Sequence, residues 1–261
     1  MLGFREYKTT LEMSSTIINP IPGESISYCL NGDVNTETRL MAISSSVINL
    51  HGSKYFILEK PFPKNTSIWQ NQAIQREFLL ESTDFANDED YIFFSDPDEI
   101  PKPEVLKNFN LKKKYGIFMQ KCFNFKFNLF NKYESPWEGT RVCKKKNLKS
   151  IDFMRQKVKT KNLKYSFFRF DKEKSVQIFD DAGWHFNNIL SSEEISLKLK
   201  TFAHSQFADE KYSSPMVIEK KIEKKIDLFE RGHIYKKVEI DDTFPEYLKK
   251  NLHKFKNFII N

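Results

Sequence analysis

The strongest run of apolar positions is Tyr91-Ile92-Phe93-Phe94, which follows the polar turn Asn87-Asp88-Glu89-Asp90. Four apolar residues without a polar break predict a central strand buried on both faces. Upstream, Lys54 to Glu59 is a shorter aromatic and β-branched run and reads as a buried strand that Pro61 and Pro63 end. Between the two, apolar residues at helical spacing behind Thr66 or Ser67 as N-cap predict a helix over 67–81. Downstream, the pattern predicts a short helix over 104–109, one or two strands across 115–130 and a strand pair over 167–178. The block Ala182 to Phe186 reads as a turn or strand end. A capping box at Ser191 or Ser192 with Glu194 opens a helix running to about Phe207. Helical spacing returns over 214–230 and over 242–258, the latter with Pro245 near its start. Residues 1–50 carry weaker signals, with a turn at Asn19-Pro20-Ile21-Pro22-Gly23 and a helix candidate over 38–50. Strands alternating with helices make this an α/β or α+β domain.

Composition narrows that picture. A chain of 261 residues with 25 Phe and 10 Tyr, but only 8 Gly and 10 Pro, has the large side chains that make burial favourable. No stretch reaches the roughly 18 apolar residues needed to span a bilayer. Arg5, Glu6, Lys8 and Glu12 stand where a signal peptide needs an apolar run, so the expectation is a soluble, cytoplasmic protein. Three widely spaced cysteines, Cys29, Cys122 and Cys143, read as small buried hydrophobes rather than a disulfide framework or a zinc site.

The net charge of +7 is unevenly spread. Lys144 to Lys174 holds ten Lys and two Arg against three acids, whereas Glu81 to Glu104 holds nine acids against one Lys. Concentrated carboxylates would repel phosphates, so a uniformly basic nucleic-acid binder is disfavoured. A cation held near one patch and an anionic ligand near the other fits better. The Lys-rich, aromatic-interleaved stretch also suits peripheral contact with anionic lipid.

The motif that carries chemistry is Asp96-Pro97-Asp98-Glu99-Ile100-Pro101, at the C-terminal end of the Tyr91–Phe94 strand. Ligands of open α/β sheets bind at such strand ends. In an extended segment the side chains at i and i+2 point the same way, so Asp96 and Asp98 can converge on one magnesium or manganese ion. An acidic turn that caps the following helix is the competing reading.

From Trp69 onward the chain resembles glycosyltransferase family 17, the β-1,4-mannosyl-glycoprotein β-1,4-N-acetylglucosaminyltransferase group. The blocks are Trp69-Gln70-Asn71-Gln72 through Gln75-Arg76, Phe94 to Pro101, Trp137-Glu138-Gly139-Thr140 and Arg155. They continue with Gly183-Trp184-His185-Phe186, Lys200-Thr201-Phe202-Ala203-His204, Asp227-Leu228-Phe229 and Phe244-Pro245-Glu246-Tyr247-Leu248. The resemblance implies a single-domain, GT-A-like, Rossmann-related α/β fold with a helical C-terminal part, and metal-dependent inverting transfer of a sugar such as N-acetylglucosamine from a UDP-sugar. The acceptor it implies is a glycan, free or linked to lipid or protein. On this division 66–261 is the catalytic region and 1–65 a divergent part of the nucleotide-binding half, because the family's opening strand is not recognisable there.

Carried onto this sequence, the resemblance makes Asp96 and Asp98 the metal and diphosphate residues, with His204 as a further metal ligand. Arg76, Arg155, Trp184, His185 and Lys200 become candidates for the nucleotide-sugar. Deprotonating an acceptor hydroxyl calls for a carboxylate base, for which Asp181 leads, followed by Glu138 and Glu99, with Asp180 adjacent. Two other readings compete: a catalytically degenerate relative acting as a binding or scaffold module, and nucleic-acid binding through Lys144 to Lys174.

Overall fold

The computed structural model of the chain describes residues 14–18, 28–29, 55–56, 62–84, 86–201 and 207–260. The turn expected at Asn19–Gly23, the helix expected over 38–50 and His204 lie outside the described residues. In chain order the first strands are β1 (Ser14–Ile18), β2 (Tyr28–Cys29), β3 (Tyr55–Phe56), β4 (Tyr91–Ser95) and β5 (Glu99–Pro101). Then come β6 (Tyr115–Asn124), β7 (Leu129–Phe130), β8 (Trp137–Lys144), β9 (Val176–Asn187) and β10 (Lys236–Lys237). The helices are α1 (Ile68–Phe78), α2 (Pro103–Lys107), α3 (Ile151–Gln156), α4 (Ser192–Thr201), α5 (Glu210–Ser213), α6 (Pro215–Glu223) and α7 (Glu246–Lys250).

One mixed eight-stranded sheet organises all of these strands except β2 and β3, which pair in parallel with each other. β4 lies between β1 and β8, antiparallel to both, and β8 is antiparallel to β6. β6 pairs in parallel with β9, and the second half of β9 pairs antiparallel with β5. The short β7 and β10 extend the far end of β6. As the apolar run predicts, β4 is buried on both faces. Phe94 joins Leu79, Ile117, Ile151 and Met154 on the α1 and α3 side, while Phe93 joins Phe118, Val142 and Ala182 on the other. Helices on both sides explain why Tyr91 to Phe94 run apolar on both faces.

Local chemistry sets the helix starts. Ser67 accepts from the Gln70 backbone N–H while the Gln70 side chain accepts from the Ser67 N–H, a complete capping box at α1. Ser191 and Glu194 repeat the device at α4. Ser150 caps α3 by accepting from Phe153, which turns Ile151, Met154 and Arg155 inward on one face.

Four elements depart from expectation, and one is the helix predicted over 242–258, which is the five-residue α7 followed by two single 3-10 turns, Leu252–Lys254 and Lys256–Phe258. The strand pair predicted over 167–178 is a turn-rich tip over 166–172 followed by a single strand, β9. The block around Gly183 is the interior of β9 rather than its end. The helix predicted over 214–230 stops at Glu223, because Lys225 at positive φ turns the chain back toward the buried Asp227. There Asp227 accepts from the Phe229 and Arg231 backbones, from the Arg231 guanidinium at 2.6 and 3.1 Å, and from the Tyr235 hydroxyl at 3.1 Å.

Burial alone would raise the Asp227 pKa, but these donors outweigh it and hold the carboxyl below the usual range. Its contribution to stability is therefore full above the ordinary aspartate value of 3.8 and is lost as pH falls through the lower folded value. Asp227→Asn should cost roughly 2–3 kcal/mol in urea unfolding at neutral pH, with less of the loss visible in strong acid. An unchanged midpoint would show that the turn does not depend on this carboxylate.

Candidate active site

β4 ends at Ser95, and the chain reverses into β5 through Asp96-Pro97-Asp98-Glu99. The Glu99 N–H donates to the Asp96 carbonyl at 2.9 Å, closing a turn with Pro97 at the position where a fixed φ helps most. The Glu99 side chain folds back under this turn with none of its surface exposed. It accepts from the Asp96 N–H at 3.2 Å and from Trp137 Nε1 at 2.8 Å, and it pairs with Arg155 Nη1 at 3.1 Å.

Arg155 reaches the turn from α3. Its Nη2 donates to Asp96 Oδ2 at 2.6 Å and its Nη1 to the Glu138 carbonyl at 3.2 Å, with the guanidinium 5.7 Å from the centre of the Trp137 ring. Burial works against its charge, but Asp96, Glu99 and Asp98 together outweigh that and raise its pKa. Trp137 also stacks on His185, ring centres 4.5 Å apart and planes 8° from parallel. His185 stands opposite Glu99 in the β5–β9 register and brings Nδ1 to 3.5 Å from Asp98 Oδ1. Burial lowers the His185 pKa and favours the neutral ring. The turn, α3, the start of β8 and the middle of β9 therefore meet around one indole.

Beside this cluster a cleft of about 330 Å³ is lined by Pro136, Trp137, Glu138, Arg155, Gln156 and Lys159. Glu138 is fixed in its wall: Oε1 accepts from the Thr160 N–H at 3.0 Å and Oε2 from Arg141 Nη2 at 3.1 Å. Arg141 is fully buried, donates to the carbonyls of Glu138, Gly139 and Val158, and is pushed down to about 10 by burial. Lys159 is lowered to about 8 by burial, with Arg141 and Arg155 adding to it. Two glycines permit the close approach. A Cβ on Gly139 would lie 2.0 Å from Gln120 Oε1, and one on Gly183 would lie 2.2 Å from the Ile100 carbonyl.

Of the residues expected from sequence, Asp96, Asp98, Glu99, Arg155 and His185 converge, and Glu138 lines the adjoining cleft. Arg76, buried on α1 and paired with Asp152 at 3.5 Å, lies within the field of Asp96 and Arg155, and burial lowers its pKa. The others need correction. Asp181 sits where three residues of β9 face one of β6, at φ 45°, with 56% of its side chain exposed. It pairs with Lys102 and with Lys121 at 3.4 Å; burial opposes its charge, yet the lysines keep its pKa low, which makes it a poor base. Asp180 shares that exposed bulge. Glu99 is enclosed and cannot meet an acceptor. Trp184 points to the other face of β9, packed with Phe123, Phe186, Phe244 and Leu248, its indole N–H on the Thr243 carbonyl at 3.0 Å. Lys200 pairs with Glu210 at 2.8 Å on the surface.

Trp137 and Lys159 complete the site without having been singled out. Trp137 stands in a recognised block, but nothing in the Lys-rich run distinguishes Lys159 from its neighbours. Two polar atoms at the cluster, Asp96 Oδ1 and His185 Nδ1, are buried without a hydrogen-bond partner. Among the described residues no group of three or more His, Cys, Asp or Glu side chains is placed to hold a metal ion. No family model, no curated protein and no solved structure matches the chain.

Burial pushes Glu99 up to about 7 against the pull of Arg155, with Asp96 and Asp98 adding to the rise. The unfolded chain releases this proton near 4.5, so between 4.5 and about 7 the native state binds one proton more and stability falls as pH rises. Glu99→Gln stays neutral and still offers an oxygen to Trp137. Relative to the variant, the wild type should lose roughly 2–3 kcal/mol across that window in urea titrations, and parallel pH profiles would contradict the assignment.

Proposed function

We propose that this chain is a metal-assisted glycosyltransferase that moves a sugar, N-acetylglucosamine in our reading, from a UDP-sugar to a glycan acceptor with inversion. The fold that goes with this proposal is GT-A-like, and the family is the one the sequence resembles. The observation that carries it is the state of the Asp96–Asp98 turn. Arg155 occupies one oxygen of Asp96 and leaves Oδ1 buried and bare, while Asp98, with 31% of its side chain exposed, opens outward beside it.

That arrangement fits a divalent ion which needs only one or two carboxylates because diphosphate and water oxygens supply the rest. Asp96 Oδ1 and Asp98 would hold it, with neutral His185 beside Asp98. When bound, manganese or magnesium supplies positive charge that stabilises a departing diphosphate. Lys159, which lines the cleft, pairs with a phosphate oxygen of the donor. Arg155 and Glu99 do not touch substrate; they lock the turn. Glu138, the expected base that reaches the cleft, takes the proton of the attacking hydroxyl, and Thr160 and Arg141 fix its direction. The nucleoside is assigned to the N-terminal segment, most of which lies outside the described residues.

A second reading, a binding or scaffold module, draws on the same cluster. Asp96 Oδ2 and both Glu138 oxygens are already satisfied by protein donors. Such a module would bind the donor without hydrolysing or transferring it.

Calorimetric titration of UDP with and without manganese tests the leading reading. Manganese should tighten UDP binding, and Asp98→Ala should weaken the metal-dependent part by about 10–100-fold. UDP binding that ignores both manganese and the substitution would remove the proposal. Metal-dependent binding without donor turnover would leave the scaffold.

A further inference from the structure

We propose that the tip formed by Phe167, Phe168 and Phe170 is a membrane anchor that enters the interface of an anionic bilayer. This stands apart from the reading of the acidic turn and does not require transferase activity.

The three rings are 79%, 79% and 83% exposed, on four consecutive positions, whereas the other phenylalanines among the described residues are buried or half-buried. Adjacent apolar side chains displayed this fully mark an interaction site rather than ordinary surface. The tip is built. Asn162, itself buried, donates through Nδ2 to the carbonyls of Lys157 at 2.6 Å and Glu173 at 3.0 Å, pinching the two ends of the loop together. Arg169 donates its backbone N–H to Ser166, Lys172 donates to Arg169, and the Lys174 amine donates to the Ser166 carbonyl. The rings are thus held outward by a closed loop.

Charge identifies the occupant. Residues 159–174 carry six cationic side chains, Lys159, Lys161, Lys164, Arg169, Lys172 and Lys174, against Asp171 and Glu173. Asp171 is already neutralised by a two-point contact with Arg169 at 2.7 and 2.8 Å and by Lys172 at 2.9 Å. Apolar rings at a tip with cations behind them combine the two signals that reversible membrane anchoring needs, interfacial burial and attraction to acidic headgroups. A second copy of the chain is disfavoured as partner, because bringing two such tips together sets like charges against each other. Single-stranded nucleic acid is disfavoured by ring geometry. Phe167 lies at 75° to Phe168 and 71° to Phe170 on a protruding tip, whereas base stacking uses platforms along a groove.

The tip also springs from the wall of the cleft. Thr160, at the loop base, donates to Glu138, and Lys159 lines the cleft itself. Docking through the three rings would therefore bring the cleft to the bilayer surface.

Flotation with vesicles of phosphatidylglycerol and phosphatidylcholine in equal parts, and with phosphatidylcholine alone, is the test. The protein should float with the acidic vesicles only, and high salt should weaken the association. Replacing Phe167, Phe168 and Phe170 together by Ser should lower the bound fraction about tenfold or more and leave the thermal midpoint unchanged, because the rings are not part of the core. A separate reporter, Phe168→Trp, should shift its emission to the blue with acidic vesicles and be quenched by brominated lipid. Failure of the wild type to float, or equal flotation of the triple variant, would overturn the proposal. So would loss of homopolymer RNA binding, or of a dimer in sedimentation, on the triple substitution without any vesicle binding by the wild type.

Discussion

The candidate site depends on one buried cation. Arg155 sits beneath the Asp96–Glu99 turn, contacts Asp96 at 2.6 Å and Glu99 at 3.1 Å, and lies against Trp137. A guanidinium removed from water is costly unless its charge and its donors are matched, and here two carboxyls and the Glu138 carbonyl match them. The converse holds as well. Without Arg155, Asp96 and Glu99 would be closed into a tight turn with no direct ion-pair partner, only the field of Arg76 and Arg141. The α3 cap at Ser150 and the burial of Ile151 and Met154 are what aim this residue at the turn.

What the cation leaves free matters as much as what it binds. With one Asp96 oxygen and the Glu99 carboxyl committed to the frame, the groups left over are the buried Asp96 Oδ1, the partly exposed Asp98 and the buried, neutral His185 ring. The framework is anionic at the turn and cationic at Lys159 in the cleft wall, the polarity that the proposed metal-bound diphosphate would complete. Rigidity comes from the four elements meeting at Trp137 and from the glycines at positions 139 and 183, where a methyl group would collide with Gln120 or with the β5 backbone.

Much of this was legible where the cause is local. The unbroken apolar run gave β4, the pairs Thr66/Ser67 and Ser191/Ser192 marked the two helix starts, and the Asp-Pro-Asp-Glu block at a strand end marked the turn around which the candidate site is built. The misreadings share a cause: each depended on a long-range partner. Read as a strand interior, Gly183-Trp184-His185-Phe186 alternates, so His185 faces the turn and Trp184 the core. A reading of the same block as a turn loses that distinction. Asp181 is displaced onto a bulge set by register with β6, and Lys102, distant in sequence, takes up its charge. Glu99 differs from Asp98 only by folding inward toward Trp137 and Arg155, neither of which is near it in the chain. The Phe167–Phe170 run has strand-like composition, yet no neighbouring strand receives it and the rings face outward.

A double-mutant cycle pairing Asp96→Asn with Arg155→Gln, followed by urea unfolding at neutral pH, addresses the central claim directly. If Arg155 is the buried counter-charge that fixes the turn, the two substitutions should be coupled by roughly 2 kcal/mol. Strictly additive losses, with coupling within about 0.3 kcal/mol of zero, would mean that the turn holds its shape without this cation.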